Sequence, residues 1–378
     1  RMTYTNVWRV LEGDAEALER YRELAPRFVA MRELAALLRR KRERRGAVDL
    51  DLPEAEIVFD DEGRMESVRR AERNDAHRLI EEFMLAANEA VAGRLMEKGY
   101  LVLHRIHETP SPKSIAEFES IARAFGYSLG LETAPRVFGR NRARRDGSKP
   151  HRELRAPREV HASPKDFQRL AKDLEGKPEQ RVLSYRMLRS FKQARYSEEP
   201  KGHFALATDR YCHFTSPIRR YPDLVVHRVL KALLDAGKDS PYSPAKPGGP
   251  IPLAALAELA DHTSRTERRA AEAERSLIDW KKAKFMEQRL GDEFEGMVVS
   301  VTEHGMWVEL RELFVEGLVP IDSFAGERFQ YRENWRALVG ARTKTKYGLG
   351  DWVRVRVDRV SWDRLRPEFA CLGPLRGE

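Results

Sequence analysis

At Gly291 the spacing of apolar residues changes from the helical period to alternation, and that change limits what this chain can fold into. Downstream, residues 294–302, 306–310, 317–321 and 352–362 alternate as strands, with 367–371 as a fifth. Five such segments within about 80 residues predict a small barrel. Gly296, Gly305 and Gly317 suit its turns and bends. Upstream the apolar residues repeat at helical spacing. Leu18, Tyr21, Leu24, Phe28, Met31, Leu34 and Leu38 mark one helix or two over 15–45, which Gly46 stops. Leu79, Ile80, Phe83, Met84, Ala87 and Val91 mark another over 74–97. Further helices are predicted at 114–129, 164–174, 179–193, after Pro222, and at 253–288 with a break near 261–264. The fold class is therefore α+β, a helical part over 1–289 followed by a barrel over 290–375.

Residues 202–228 hold the densest chemistry. His213-Phe214-Thr215-Ser216-Pro217-Ile218-Arg219-Arg220-Tyr221-Pro222-Asp223 sets two prolines around an Ile-Arg-Arg-Tyr core. Each proline fixes its own φ and biases the preceding residue away from the helix, so Ser216 and Tyr221 are expected to be extended. The arginines then sit in a stiff turn. Asp223 becomes a first-turn carboxylate, favourable near a helix N-terminus. A rigid loop presenting a guanidinium fork ahead of a helix suits phosphate. Two ordinary solvated arginines remain the alternative.

This stretch resembles the signature of the ribonuclease II/ribonuclease R family. The resemblance extends to Leu188-Arg189-Ser190-Phe191-Lys192-Gln193-Ala194, to Arg73-Asn74-Asp75-Ala76-His77 and Asn88, and to Thr266-Glu267-Arg268-Arg269-Ala270 and Asp279-Trp280. It implies the C-terminal part of an RNB catalytic domain, a processive 3′→5′ exoribonuclease using divalent metal, Mg2+ by expectation, and releasing nucleoside 5′-monophosphates. Arg219 would hold the scissile phosphate, with Arg220 as its outward neighbour. Glu274 would lie near the active site, or be an ordinary helix charge. Residues matching Tyr4 and Glu81 distinguish ribose from deoxyribose. A carboxylate accepting from the 2′-OH is sensible chemistry, because that hydroxyl marks RNA. His77, Glu81 and Asn88 fall within roughly 40° of one another on their helix. His213 and Tyr221 are assigned to RNA contact. No aromatic occurs at Val48-Asp49-Leu50, where the family stacks a terminal base, which leaves Leu50 as an apolar platform. The barrel, through Glu295-Gly296-Met297-Val298-Val299-Ser300-Val301 and Gly305-Met306-Trp307-Val308, resembles an S1-type RNA-binding domain, an OB-fold. Phe294, His304, Trp307 and Phe314 are its stacking candidates, two of the four expected at the surface and the rest in the core.

Charge and composition narrow the partners. The 69 Lys+Arg against 60 Asp+Glu give a net charge of +9, which favours a polyanion, single-stranded RNA by expectation. The run Arg39-Arg40-Lys41-Arg42 with Arg44 and Arg45 reads as a solvated face. The basic segment 135–161 reads equally as phosphate contact or as a surface loop, and 241–252 as a Pro/Gly-rich connector. Asp60 and Asp61 read as a hairpin turn. No apolar run could span a bilayer, and two distant cysteines, Cys212 and Cys371, fit a reducing cytoplasm. The opening Arg1-Met2-Thr3-Tyr4-Thr5 resembles a segment downstream of the family's metal-binding aspartates. A fragment or split subunit is therefore expected, with no metal ligands of its own and an upstream segment or partner chain carrying the aspartates. A non-catalytic RNA-binding module is the competing class.

Overall fold

The computed structural model describes residues 2–50, 55–63, 65–70, 73–131, 160–235, 250–324 and 326–375. The basic segment 135–161 and the connector 241–252 lie largely outside these. Three helices open the chain: α1 (Tyr4–Leu11), α2 (Ala15–Arg20) and α3 (Ala25–Arg45). A hairpin of β1 (Ala55–Phe59) and β2 (Met65–Arg70) precedes α4 (Asp75–Glu97). There follow β3 (His104–Ile106), α5 (Pro112–Ala124), α6 (Pro164–Asp173), α7 (Gln180–Ser190), β4 (Arg195–Ser197), α8 (Tyr221–Leu234) and α9 (Leu253–Glu287). The last part carries β5 (Glu293–Thr302), β6 (Gly305–Leu310), β7 (Glu316–Pro320), β8 (Phe329–Arg332), β9 (Ala337–Gly340), β10 (Lys346–Gly348), β11 (Trp352–Ser361) and β12 (Arg366–Pro374).

Packing divides the chain into two units, Arg1–Asp51 with Arg73–Thr266, and Leu52–Glu72 with Glu267–Glu378. The change of period at Gly291 suggested a simple sequential division. Instead the β1–β2 hairpin groups with the barrel, where Met65 packs against the core. Asp60 forms the tip of that hairpin, its carboxylate accepting from Glu62 N–H at 3.0 Å.

In the first unit, α1 lies beside α2, α3 and α4, around Val10, Leu11, Ala17 and Phe28. Helix α3 stops where Gly46 adopts φ +106°, and a Cβ there would strike the Lys165 side chain. Helix α4 starts at Asn74, whose side chain accepts from Ala76 N–H and His77 N–H. Ala92 and Leu95 of α4 pack with Val102, Cys212, Val226 and Val229, joining α4 to α8. The basic run at the end of α3 is not uniformly solvated. Arg42 is buried and donates to Glu82 at 2.7 Å, while Arg45 pairs with Glu89 at 2.6 Å. A periodic reading sees charge but not the carboxylates that α4 brings opposite it. Helix α9 runs unbroken through 261–264. The Thr263 and Ser264 hydroxyls donate to the carbonyls of Leu259 and Ala260 one turn back, so they fit the helix interior.

In the second unit, five strands close a barrel in the order β11-β12-β7-β6-β5, with β11 pairing β5. The strands predicted from alternation are those that form it. Its core holds Val298, Met306, Val308, Leu310, Val319, Val353, Val355 and Phe369. Gly305 starts β6 at φ +144°, and a Cβ there would run into the Val319 carbonyl. The sheet β8-β9-β10 between β7 and β11 was not foreseen. Nor were α1 and the β3–β4 pair, whose segments are too short for a periodic signal.

Replacing Arg42 with Ala leaves the buried Glu82 carboxylate without a partner and is expected to cost about 3–5 kcal/mol in denaturant unfolding. Arg39→Ala, at the exposed Arg39–Glu43 pair, is expected to cost under about 0.5 kcal/mol.

Candidate RNA-binding site

The stretch 211–223 is fixed from three directions. Asn88, buried on α4, donates from Nδ2 to the Tyr211 hydroxyl at 3.0 Å and accepts from Phe214 N–H at 3.0 Å. His227 on α8 stacks on Phe214 with centroids 4.1 Å apart, and its Nε2 lies 2.9 Å from the Phe214 carbonyl. Asp223 has no solvent exposure, and its Oδ1 accepts from Ser216 N–H at 2.7 Å and from Arg220 Nη2 at 2.8 Å. Asp223 is the first-turn carboxylate expected from the sequence, and it is wholly buried. Asn88, expected on one face with His77 and Glu81, also serves the interior.

The Ser216 carbonyl accepts from Arg219 N–H and Arg220 N–H, closing a tight turn. Arg220 is extended and caps α8, while Tyr221 is already helical. The expectation that Tyr221 is extended is corrected here. Pro222 sits in the first helical turn, where its missing N–H and fixed φ are tolerated, so the non-helical residue moves back to Arg220. The placing of Arg220 as the outward neighbour is also corrected. Arg220 turns inward to the buried Asp223, whereas Arg219 is exposed. Among the described residues the Arg219 guanidinium has no hydrogen-bond or ion-pair partner. Ile218, almost fully exposed, marks the tip of the turn.

Behind the turn lies a group of rings. His213 Nδ1 is 2.9 Å from the Tyr196 hydroxyl, and the ring stands edge-on to both Tyr196 and Tyr211. His203 meets His107 and Tyr211 edge-on. Burial pushes His213 down to about 2, with the positive charge of Arg220 adding to the effect. It pushes His203 down to about 3 and the fully enclosed His104 down to about 4. Burial thus keeps the His213 ring neutral. Tyr221 is exposed, with the Arg228 guanidinium 6.0 Å from its ring.

Tyr4 and Glu81 stand near one another through α4. The exposed Tyr4 ring stacks on His77 at 4.3 Å, and His77 Nδ1 lies 2.8 Å from the Asn74 side-chain oxygen. One helical turn on, Glu81 pairs with Arg73, which also faces Asp49 at 3.7 Å. Glu274 belongs to the other unit, exposed on α9.

On the barrel, His304 and Trp307 line one groove of about 810 Å³. Its other walls include Trp362, Arg359 and Arg364 on the β11–β12 hairpin. The Arg366 guanidinium sits 5.1 Å from the Trp307 ring centroid. Trp362 is exposed and held at its edge by an Nε1 bond to Glu287 at 3.3 Å. Trp362, expected as the end of a strand, instead belongs to the hairpin beyond Ser361. Phe294 packs against the barrel core. Phe314 adopts φ +50° in the β6–β7 loop, its carbonyl accepting from Lys282 at 2.9 Å. Neither lines the groove.

Among the described residues, no group of three or more His, Cys, Asp or Glu converges to hold a metal ion. These residues do not fit a magnesium site. No described helix is long and apolar enough to cross a membrane.

Residues 1–236 match the family model described as RNB domain, and residues 287–371 match that of the S1 RNA binding domain. The chain belongs to the RNB family, that of ribonuclease II and ribonuclease R. It is 37% identical to ribonuclease R of Aquifex aeolicus over 99% of this chain and 48% of that protein. It is 36% identical to ribonuclease R of Escherichia coli over 100% of this chain and 43% of that protein. The chain spans about half the length of the curated relatives it matches. Mycoplasma genitalium RNase R, solved in complex with ribose-methylated single-stranded RNA, shares the fold with a TM-score of 0.78 and 24% identity. That match covers 98% of this chain and 53% of that one.

The low histidine pKa values give a stability prediction for this family member. An unfolded His takes up a proton near pH 6.5, whereas His104, His203 and His213 stay neutral in the fold. Their contribution is fully present above pH 6.5 and is lost as pH falls towards 4 and below. Each adds a limiting slope of about 1.4 kcal/mol per pH unit. Urea midpoints measured between pH 8 and 4.5 should hold down to about 6.5 and then decline, and less steeply in His104→Phe.

Proposed function

We propose that the chain is the RNA-holding part of a 3′→5′ exoribonuclease that shortens single-stranded RNA to nucleoside 5′-monophosphates. The observation that carries this reading is Arg219. Its free guanidinium stands on a turn whose backbone is fixed from inside. A planar fork on such a turn can place two parallel hydrogen bonds on phosphate oxygens, with the backbone beneath it already ordered. Family membership and two ribonuclease R relatives at 36% and 37% identity support the same chemistry. In this reading residues 1–289 are the C-terminal portion of the catalytic domain and 290–375 the S1-type domain. The divalent metal of the reaction, Mg2+, is held by residues other than those described, and the location is cytoplasmic.

Glu81 is the reader of ribose. Its carboxylate, already engaged by Arg73, accepts from the 2′-OH of a nucleotide lying on the Tyr4 ring. On the barrel, Trp307, Trp362 and His304 offer stacking faces in a groove edged by arginines, and Phe294 and Phe314 support the strands and loop beside it. The second reading is a non-catalytic RNA-binding module or one subunit of a split nuclease. The S1 RNA binding domain match and the net charge of +9 would serve that reading as well.

One experiment separates the two. The natural protein that carries this chain is incubated with 5′-labelled single-stranded RNA and Mg2+. Stepwise shortening from the 3′ end with release of mononucleotides is expected; binding without shortening selects the RNA-binding module. The chain itself should bind RNA with log K falling linearly in log salt as counterions leave. Fluorescence anisotropy that shows no binding, or no salt slope, rules out both readings. Replacing Glu81 with Ala should narrow the preference for RNA over DNA, and an unchanged ratio of the two affinities removes Glu81 from that role.

A further inference from the structure

Adjacent arginines in a phosphate-facing turn invite the assumption that they share one task. The geometry separates them. Arg220 is only partly exposed and gives Nη2 to Oδ1 of Asp223 at 2.8 Å, while its Nε, also buried, has no partner. Asp223 is wholly buried, and the same Oδ1 accepts Ser216 N–H at 2.7 Å. Its Oδ2 makes no hydrogen bond. One oxygen therefore ties together both ends of the turn, the Ser216 amide where it begins and the Arg220 side chain where it ends. Between them the Ser216 carbonyl takes Arg219 N–H at 3.3 Å and Arg220 N–H at 3.1 Å. Pro217 removes one backbone freedom from the same segment. What is left unconstrained is the Arg219 side chain.

Burying a carboxylate is costly, and a neighbouring cation offsets the cost only with good geometry. Two donors converging on one oxygen give short, directed contacts, and their directions fix the backbone they come from. A surface charge at residue 223 could stabilise the helix start equally well through the dipole, but it could not hold Ser216.

Resting on the proposed phosphate role of Arg219, we infer that Asp223 and Arg220 are positioning residues that set the Ser216–Arg220 turn, so that Arg219 alone meets the RNA phosphate. Arg220 acts inward on Asp223 and makes no phosphate contact of its own. The motif then needs two arginines because one orients the backbone from which the other reaches.

The test is a double-mutant cycle in the natural protein, read as RNA affinity and as single-turnover release of mononucleotide. Arg219→Lys is expected to lower the rate by about 100- to 1,000-fold, with affinity little changed. Asp223→Asn is expected to lower it on the order of 100-fold through misplacement of the same group, again with affinity little changed. On the Arg219→Lys background, Asp223→Asn should cause almost no further loss, because the two changes disable one device. A merely structural role for Asp223 predicts losses that multiply, and that result overturns the inference, as does an Asp223→Asn protein with the parent rate. If Arg219→Lys itself turns over like the parent, the phosphate reading fails first and this inference falls with it.

Arginine labelling by phenylglyoxal, read by mass spectrometry on the unmutated protein, does not depend on any variant folding. Arg219 should label rapidly and be protected by single-stranded RNA, whereas Arg220 should resist labelling with or without RNA. Equal labelling of both, or RNA protection of Arg220 in place of Arg219, overturns the division of labour.

Discussion

The side-chain amide of Asn88 is the contact on which the first unit's functional stretch depends. It is a single buried group on α4 with two opposite ends in use, Nδ2 to the Tyr211 hydroxyl and the oxygen to Phe214 N–H. The Asn88 backbone carbonyl also accepts from the Cys212 thiol. Three residues, 211, 212 and 214, are thereby registered against one position of a helix. Without the Asn88 side chain the part-buried Phe214 N–H would lose its acceptor. The apolar contacts of Ala92, Leu95 and Val226 supply adhesion, but they are non-directional and would tolerate a shift. The amide does not. The ring group of His213, Tyr196 and Tyr211 and the turn beyond it inherit their positions from that registration.

Two kinds of arginine follow from how charge meets burial. Arg42, Arg45 and Arg220 face carboxylates brought from elsewhere in the fold, Glu82, Glu89 and Asp223. They fix distances between elements. Arg219, and Arg364 beside the barrel groove, keep their charge available at the surface. The net positive charge in the sequence counts both kinds alike, though only the second attracts a polyanion.

What was legible in the sequence follows the same division between local and distant causes. The barrel strands could be read because alternation is a local property, and the Asp60 turn because its carboxylate bonds two residues on. The helix boundary at Gly46 was legible through its left-handed conformation. The direction of Arg220 was not, because it is set by Asp223 across a turn whose path depends on Asn88. The buried state of Arg42 depends on Glu82, forty positions away in the chain. Trp362 was hidden for a simpler reason: its strand ends one residue earlier, at Ser361, and the tryptophan belongs to the hairpin. Breakers also misled where a tertiary or intrahelical bond satisfied them, as Thr263 and Ser264 did within α9. Of the proposed site, the residue types and the turn could be read in advance, but which side chains face outward could not.

The order of strands in the barrel has a consequence for how the polypeptide acquires this shape during synthesis. β12 is the last strand of the chain, yet it lies between β11 and β7, pairing antiparallel with the first and parallel with the second at Glu368 and Leu318. Until residues 366–374 emerge, β7 and β11 are both open edges with unmatched amides and carbonyls. The nascent barrel is then a curved sheet exposing the apolar side of Met306, Val308 and Val355. Closure is a single event that covers two edges at once, so a ribosome pausing before residues 366–374 emerge would prolong the state most open to pairing with another chain.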